Sequence, residues 1–271
     1  MKSNFKNTEE NYPENKEYNN FDLFMSKEYK SRKNSKLNGF EVINNNKVKI
    51  ENKDEIIFKK LDTVIYRFPE GTIVDLYGPT SSGKSQILFQ SVVNISKKDK
   101  KILFIDSSGN FRPERIIQLS KIKKYNIEEI LNNVFTIRCN SLDQQLETIP
   151  KIKEFIKNNN VTYVIIDDLT RNFTEYPFES RNEIEDILSQ YIRELAYIAW
   201  NNNISIIVTN SVRAKIDDSQ INEKETYETV INRLIHLRVS LKRIDEFWLA
   251  RNNIEKQCIF NITKNGIEGV K

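Results

Sequence analysis

The run Gly78-Pro79-Thr80-Ser81-Ser82-Gly83-Lys84-Ser85 follows the pattern G-x-x-x-x-G-K-[ST] without a mismatch. Each residue type in it has a physical task. The two glycines let the backbone turn so that its N–H groups converge on an anion, Lys84 brings positive charge to β- and γ-phosphates, and the Ser85 hydroxyl is a ligand for Mg²⁺. A nucleotide with Mg²⁺ is the expected occupant. A second acidic element stands downstream: Tyr163-Val164-Ile165-Ile166 is an apolar run ending in Asp167 and Asp168. A carboxylate at the end of such a strand is placed to hold Mg²⁺ through water, and Asp167 is the better candidate by position.

These residues need a scaffold that brings strand ends together. Short apolar runs alternate with helical patterns from about residue 60, which predicts repeated βα units and a parallel sheet. The expected strands are 72–77, 101–106, 134–138, 162–167 and 204–209, apolar on both faces as buried parallel strands are. Helices are expected over 84–96, after Pro113, over 142–157 capped by Ser141 with a kink at Pro150, and over 181–200 with a 3.6-residue repeat that takes Trp200 into the core. After Val212 a polar loop is expected, then strand-like runs at 233–242, 246–251 and 257–263 forming antiparallel hairpins. Residues 1–55, rich in Asn, Lys, Glu and Tyr, read as a disordered arm with a short ordered stretch at Phe21–Met25, leaving 56–271 as the core domain.

Composition excludes several classes. No apolar run approaches a membrane span, and Met1-Lys2-Ser3-Asn4 opens nothing like a signal peptide. Cys139 and Cys258 are far apart, which argues against a disulfide framework or a zinc site, and one histidine, His236, leaves triad chemistry little to work with. His236 reads as structural, on the 233–242 run. With 42 basic and 38 acidic residues the net charge is +4, mixed rather than blocked, which permits nucleic-acid binding without demonstrating it. A reduced, soluble, intracellular protein is expected.

Phe104-Ile105-Asp106-Ser107-Ser108-Gly109-Asn110-Phe111-Arg112-Pro113-Glu114-Arg115 resembles the segment after the second core strand of RadA-type recombinases, the archaeal and eukaryotic relatives of RecA. The family's motif there is close to I-D-T-E-G-x-F-R-P-E-R. Leu61-Asp62 with Glu70-Gly71-Thr72-Ile73, Val208-Thr209-Asn210, and Phe260 to Ile267 look like further core segments, so the resemblance covers about 60–271. It implies an α/β, RecA-like P-loop NTPase core: a mainly parallel sheet flanked by helices, with C-terminal antiparallel hairpins. It also implies ATP and Mg²⁺ as ligands. Gly78, Pro79, Thr80, Ser81, Ser82, Gly83, Lys84, Ser85 and Gln86 would cradle ATP, Arg115 would stack on adenine, and Ser85 and Asp167 would hold the metal. The segment 173–183 occupies the position of the family's first DNA-binding loop, with Arg181 its phosphate contact. The stretch 213–229 occupies that of the second, with Arg213 and Lys215. Single-stranded DNA and recombinase or paralogue subunits are the implied partners, in the nucleus of a eukaryote or the cytoplasm of an archaeon.

Two departures change the expectation. Ser108 stands where the family has the glutamate that activates water, and a serine hydroxyl is not appreciably ionised near neutral pH. Ser211 stands where the family has a γ-phosphate-sensing glutamine. Lys84 with Asp168 (or Asp106 in its place) is then the catalytic set left for slow hydrolysis. The family's small helix-hairpin-helix domain is not evident in 1–55, and its F-x-x-A linking motif is missing from an arm without alanine. Phe247-Trp248-Leu249-Ala250 matches those letters but reads as chance and core packing. The resulting expectation is a RadB-like accessory paralogue: it binds ATP, hydrolyses it weakly or not at all, and assists recombination and repair on single-stranded DNA or a recombinase filament. The alternatives are an ATP-bound scaffold that does not touch DNA, and an unrelated P-loop phosphotransferase.

Overall fold

The computed structural model describes residues 58–176, 181–217 and 220–269, without the side chains of 213–224. The expected arm and its boundary with the core lie outside the described residues. Strands are β1 (Thr72–Gly78), β2 (Lys101–Asp106), β3 (Val134–Arg138), β4 (Val161–Asp167), β5 (Ser205–Asp217), β6 (Gln220–Glu225), β7 (Leu237–Ile244), β8 (Phe247–Asn252), β9 (Gln257–Thr263) and β10 (Gly266–Gly269). They form one sheet in the order β10-β9-β8-β7-β1-β5-β4-β2-β3, with β6 paired to β5 off this path. The pairs from β7 to β3 are parallel, whereas β7 to β10 and the β5–β6 ribbon are antiparallel. This is the RecA-like architecture expected from the sequence, and no helix among the described residues is long and apolar enough to cross a membrane.

The parallel strands bury side chains on both faces, so each alternates between two cores. On one side Val74, Leu76, Ile102, Phe104 and Ile165 pack with helices Lys84–Ser96 and Pro113–Ile122. On the other, Leu103, Ile105, Val164, Ile166 and Val208 pack with helices Thr148–Asn159 and Arg181–Asn202. Every loop that follows a strand of the parallel set opens at the carboxyl edge of the sheet, where ligands of such folds bind.

Four expectations need correction. The helix expected over 142–157 is two, Leu142–Leu146 and Thr148–Asn159, joined at Glu147. Ser141 does cap the first, its hydroxyl accepting from the Gln144 N–H. Pro150 produces no mid-helix kink because it lies in the first turn of the second helix, where its missing N–H has no intrahelical partner to lose. The strand expected at 233–242 begins only at Leu237, and the preceding Glu228–Leu234 is a helix. Val230 and Ile231 are buried in the core that the helix Arg181–Asn202 shares, and the Tyr227 hydroxyl fixes the start of Glu228–Leu234 by donating to the Phe173 carbonyl. His236 therefore sits exposed between helix and strand. The polar loop after Val212 is the β5–β6 ribbon, whose backbones pair antiparallel from Val212–Glu225 to Asp217–Gln220. Trp200 is 72% exposed rather than core. The buried stripe of its helix passes through Leu195 and Ile198, and at 100° per residue Trp200 falls outside it.

Within this fold a charged cluster is buried between strands. Asp75, in the middle of β1, accepts from Asn210 Nδ2 of β5 (2.8 Å) and from Arg238 of β7 (2.8 Å), and Arg238 also donates to Glu225 at the end of β6 and to Asn232. The guanidinium lies 4.3 Å from the Tyr77 ring centroid. Two carboxylates share one cation, so the cluster takes up a proton readily. Burial, with Asp75 beside it and against the pull of Arg238, pushes Glu225 up to about 7, and Glu228 adds to the rise. Arg238→Met strands both carboxylates and is expected to cost about 3–5 kcal/mol in urea unfolding. Between about pH 4.5 and 7 the folded state holds a proton on Glu225 that the unfolded chain has released, so stability falls as pH rises through that window. Glu225→Gln is expected to show a smaller loss of stability than wild type between pH 5 and pH 7.5.

Candidate nucleotide site

Strand β1 ends at Gly78, and the loop 79–83 leads directly into the helix Lys84–Ser96. Two of its positions tolerate only glycine. A Cβ at Gly78 would stand 2.2 Å from the Leu241 carbonyl oxygen, so β7 could not approach β1. Gly83 has φ +97°, and a Cβ there would stand 2.7 Å from Ile262 Cδ1. Lys84, only 9% exposed, is folded into the loop, its Nζ donating to the carbonyls of Gly78 (2.6 Å) and Pro79 (2.9 Å). Burial lowers its pKa, while Asp168, Asp167 and Asp75 oppose the shift.

A cavity of about 570 Å³ opens beside the loop, lined by Thr80 to Gln86 on one side and by Asp167, Asp168 and Ser211 on the other. The register puts these groups together: Gly78 is level with Ser211 on β5, and Asp106 with Asp167. Three successive residues of β5 each donate to a different carboxylate. Thr209 Oγ1 reaches Asp167 Oδ1 (2.5 Å), Asn210 Nδ2 reaches Asp75, and Ser211 Oγ reaches Asp168 Oδ2 (3.0 Å). Asp168 Oδ1 accepts from the Thr170 N–H and hydroxyl.

Asp167 keeps one oxygen in reserve. Its Oδ2 is buried and has no hydrogen-bond partner. Burial raises its pKa to about 6, partly offset by the Thr209 hydrogen bond and reinforced by Asp168 and Asp106. An orphaned buried carboxylate oxygen on a residue that lines the same cavity as Ser85 fits a hard cation. Among the described residues no group of three His, Cys, Asp or Glu side chains could hold a metal by itself. Mg²⁺ suits such a site, because it takes one or two protein oxygens and completes its shell with phosphate oxygens and water. Gln86 Nε2 is likewise buried without a partner.

The remaining predicted residues fall in different places. Ser108 lines the cavity, and its hydroxyl lies 3.3 Å from Asp106 Oδ1. Asp106 serves the turn that follows it, accepting from the N–H groups of Gly109, Asn110 and Phe111. Arg115 does not line the cavity. Its guanidinium donates to Gln86 Oε1, Gln118 Oε1 and the carbonyls of Thr263 and Lys264, which ties the helix after Pro113 to β9. Arg181 is exposed, pairs with Glu185 at 2.9 Å and approaches the Tyr227 ring. Arg213 and Lys215 lie on the outer part of β5, and their side chains fall outside the described residues.

Sequence reasoning missed Trp248 and Ile262, which line the cavity from β8 and β9. Trp248 is half-buried, with its indole N–H 3.3 Å from the Ser81 carbonyl; within that tetrapeptide Ala250 is buried in the core and Trp248 packs against it, while Phe247 is 39% exposed. Reading β8 and β9 as neighbours was the available signal, since it puts Trp248 and Ile262 on one face. Cys139 is buried and Cys258 half-buried, and burial pushes both thiols up to about 11.

Residues 57–270 match the Rad51 family model. Among curated proteins the chain is 29% identical to the DNA repair and recombination protein RadA of Methanococcus maripaludis strain C5, over 78% of this chain and 74% of that protein. It is 30% identical to the same protein of strain C7, over 77% and 73%, and 30% identical to RadA of Aeropyrum pernix, over 54% and 48%. With a family match across nearly the whole described core, and the phosphate loop and carboxylates at its carboxyl edge, the chain belongs to the Rad51 family.

Proposed function

We propose that this chain is an ATP-binding recombinase paralogue that assists homologous recombination and DNA repair, acting inside the cell on single-stranded DNA, on a recombinase filament, or on both. The observation that carries this reading is the complete phosphate loop facing an acidic pair with one unpartnered buried oxygen, Asp167 Oδ2, in a Rad51-family core. Backbone N–H groups of residues 80–85 and the Lys84 ammonium would take the phosphates. Ser85 and Asp167 would hold Mg²⁺, which supplies charge neutralisation on the phosphate oxygens.

Weak hydrolysis follows from what the site lacks. Neither Ser108 nor Ser211 is a base at neutral pH, and both hydroxyls lie against carboxylates of their own wall. Asp168 is the carboxylate left to orient or deprotonate a water. Its oxygens already accept from Thr170 and Ser211, and burial raises its pKa. Positioning and charge stabilisation remain, so slow turnover is retained while binding does most of the work. Nucleotide then acts as a switch more than as fuel, which requires that ATP bind two states with different affinity.

Two measurements test this. Single-stranded DNA binding is expected to be stimulated by ATP in wild type and to lose that stimulation in Lys84→Ala. Binding to a recombinase but never to DNA would support the ATP-bound scaffold instead, and neither behaviour would leave the recombination role without support. Separately, Asp168→Asn is expected to lower the residual ATP turnover by about 10²-fold, the usual contribution of a positioned base. An unchanged rate would remove Asp168 from the chemistry.

A further inference from the structure

The cavity beside the phosphate loop is lined mainly by polar residues, and Trp248 and Ile262 bring large apolar side chains to it. Trp248 pairs with Phe260 across β8 and β9, two residues from Ile262, so Trp248 and Ile262 share one face of the hairpin and both line the cavity. Both pack from behind on the buried core that contains Phe260. They stand close to the loop: an added Cβ on Gly83 would lie 2.7 Å from Ile262 Cδ1 and 3.5 Å from Trp248 Cδ1. The Trp248 ring is held in place by its N–H to the Ser81 carbonyl and by the Arg243 guanidinium, 5.3 Å from the ring centroid.

A nucleotide with its phosphates in this loop must put an aromatic base near the loop as well. The residue expected to receive it, Arg115, has its guanidinium bonded to Gln86, Gln118 and two carbonyls of the chain after β9, and it does not line the cavity. Trp248 brings an indole to the cavity lining, and Gln86 Nε2 is a buried donor without a partner. We propose that Trp248, backed by Ile262, is the base-contacting wall of the site, so that this indole distinguishes a nucleoside triphosphate from a bare polyphosphate. The proposal rests on the nucleotide reading given above.

Binding of Mg·ATP and of magnesium tripolyphosphate to the full chain separates the two. Wild type is expected to bind ATP more tightly. Trp248→Ala should weaken ATP at least about five-fold, the low end for loss of a base stacked on an aromatic ring, and leave tripolyphosphate within about two-fold. Trp248→Phe should keep most of the ATP affinity. The chain has two tryptophans, so in Trp200→Phe the emission of Trp248 alone is seen, and ATP should change it where tripolyphosphate does not. Unchanged ATP affinity in Trp248→Ala, or an emission that answers both ligands alike, would overturn the proposal while leaving the nucleotide reading intact. Equal losses for both ligands in Trp248→Ala and Trp248→Phe would make Trp248 a brace on the loop through Ser81 and equally overturn it. A wild-type chain that binds neither ligand overturns the nucleotide reading and the wall with it.

Discussion

The buried contact between Asp75 and Arg238 is the constraint around which the rest of the site is arranged. Taking charges out of water costs several kcal/mol per ion, and their attraction offsets this only when the geometry is complete. Here Asp75 of β1 is met by Asn210 of β5 on one side and Arg238 of β7 on the other, and Arg238 reaches on to Glu225. A slip of one residue in any of these strands would send its partner to the opposite face and leave a buried charge alone. The cluster therefore penalises every register except the one observed, three residues below the turn at Gly78. Burial of two carboxylates with one guanidinium is a poor way to gain stability, but an effective way to fix where a loop begins.

That fixed register explains why the carboxylates at the sheet edge are so evenly served. Thr209, Asn210 and Ser211 alternate in direction along β5, yet each finds an acid, because the strand end lies between β1 and β4 at the height where both present one. Ser211 shows what a short side chain does in this setting. A hydroxyl there reaches Asp168 and goes no further, whereas a longer amide would extend into the cavity. Ser108 is alike, turned to Asp106. Around the cavity this leaves the phosphate loop and the acids, with Ser108 and Ser211 both engaged in hydrogen bonds to neighbouring carboxylates.

Much of this was legible in the sequence because it depends on local chemistry. The phosphate loop is contiguous, and strands β2, β3 and β9 and the start of the helix at Lys84 fall where apolar runs and turn residues put them. Asp167 could be singled out because it ends an apolar strand. The β5–β6 ribbon was passed over because its alternation, Val212, Ala214 and Ile216 against Arg213, Lys215 and Asp217, is short and runs straight into the polar residues 217–220. The helix at Glu228–Leu234 was hidden because seven residues with buried Val230 and Ile231 look as much like a strand as a helix. Trp248 was hidden for a different reason. Its contact with Ser81 spans 167 residues of chain, and nothing local distinguishes an indole that lines a cavity from one that fills a core. Trp200, taken for core, was the converse case.

The same geometry bears on how nucleotide could be felt elsewhere in the molecule. Beyond Ser211, β5 runs directly into the ribbon, and Val212 is paired with Glu225, the residue that Arg238 holds. The strand that carries Ser211 to Asp168 is thus anchored at its next step by the buried charge cluster. A displacement at Asp168 cannot pass along β5 without straining contacts that tolerate little change, because packed, fully paired interiors switch between arrangements rather than deform. Any influence of nucleotide on the ribbon must therefore come as a discrete exchange of partners among Ser211, Asn210 and their acids. In this chain the buried carboxylates set both the position of the loop and the price of moving what it touches.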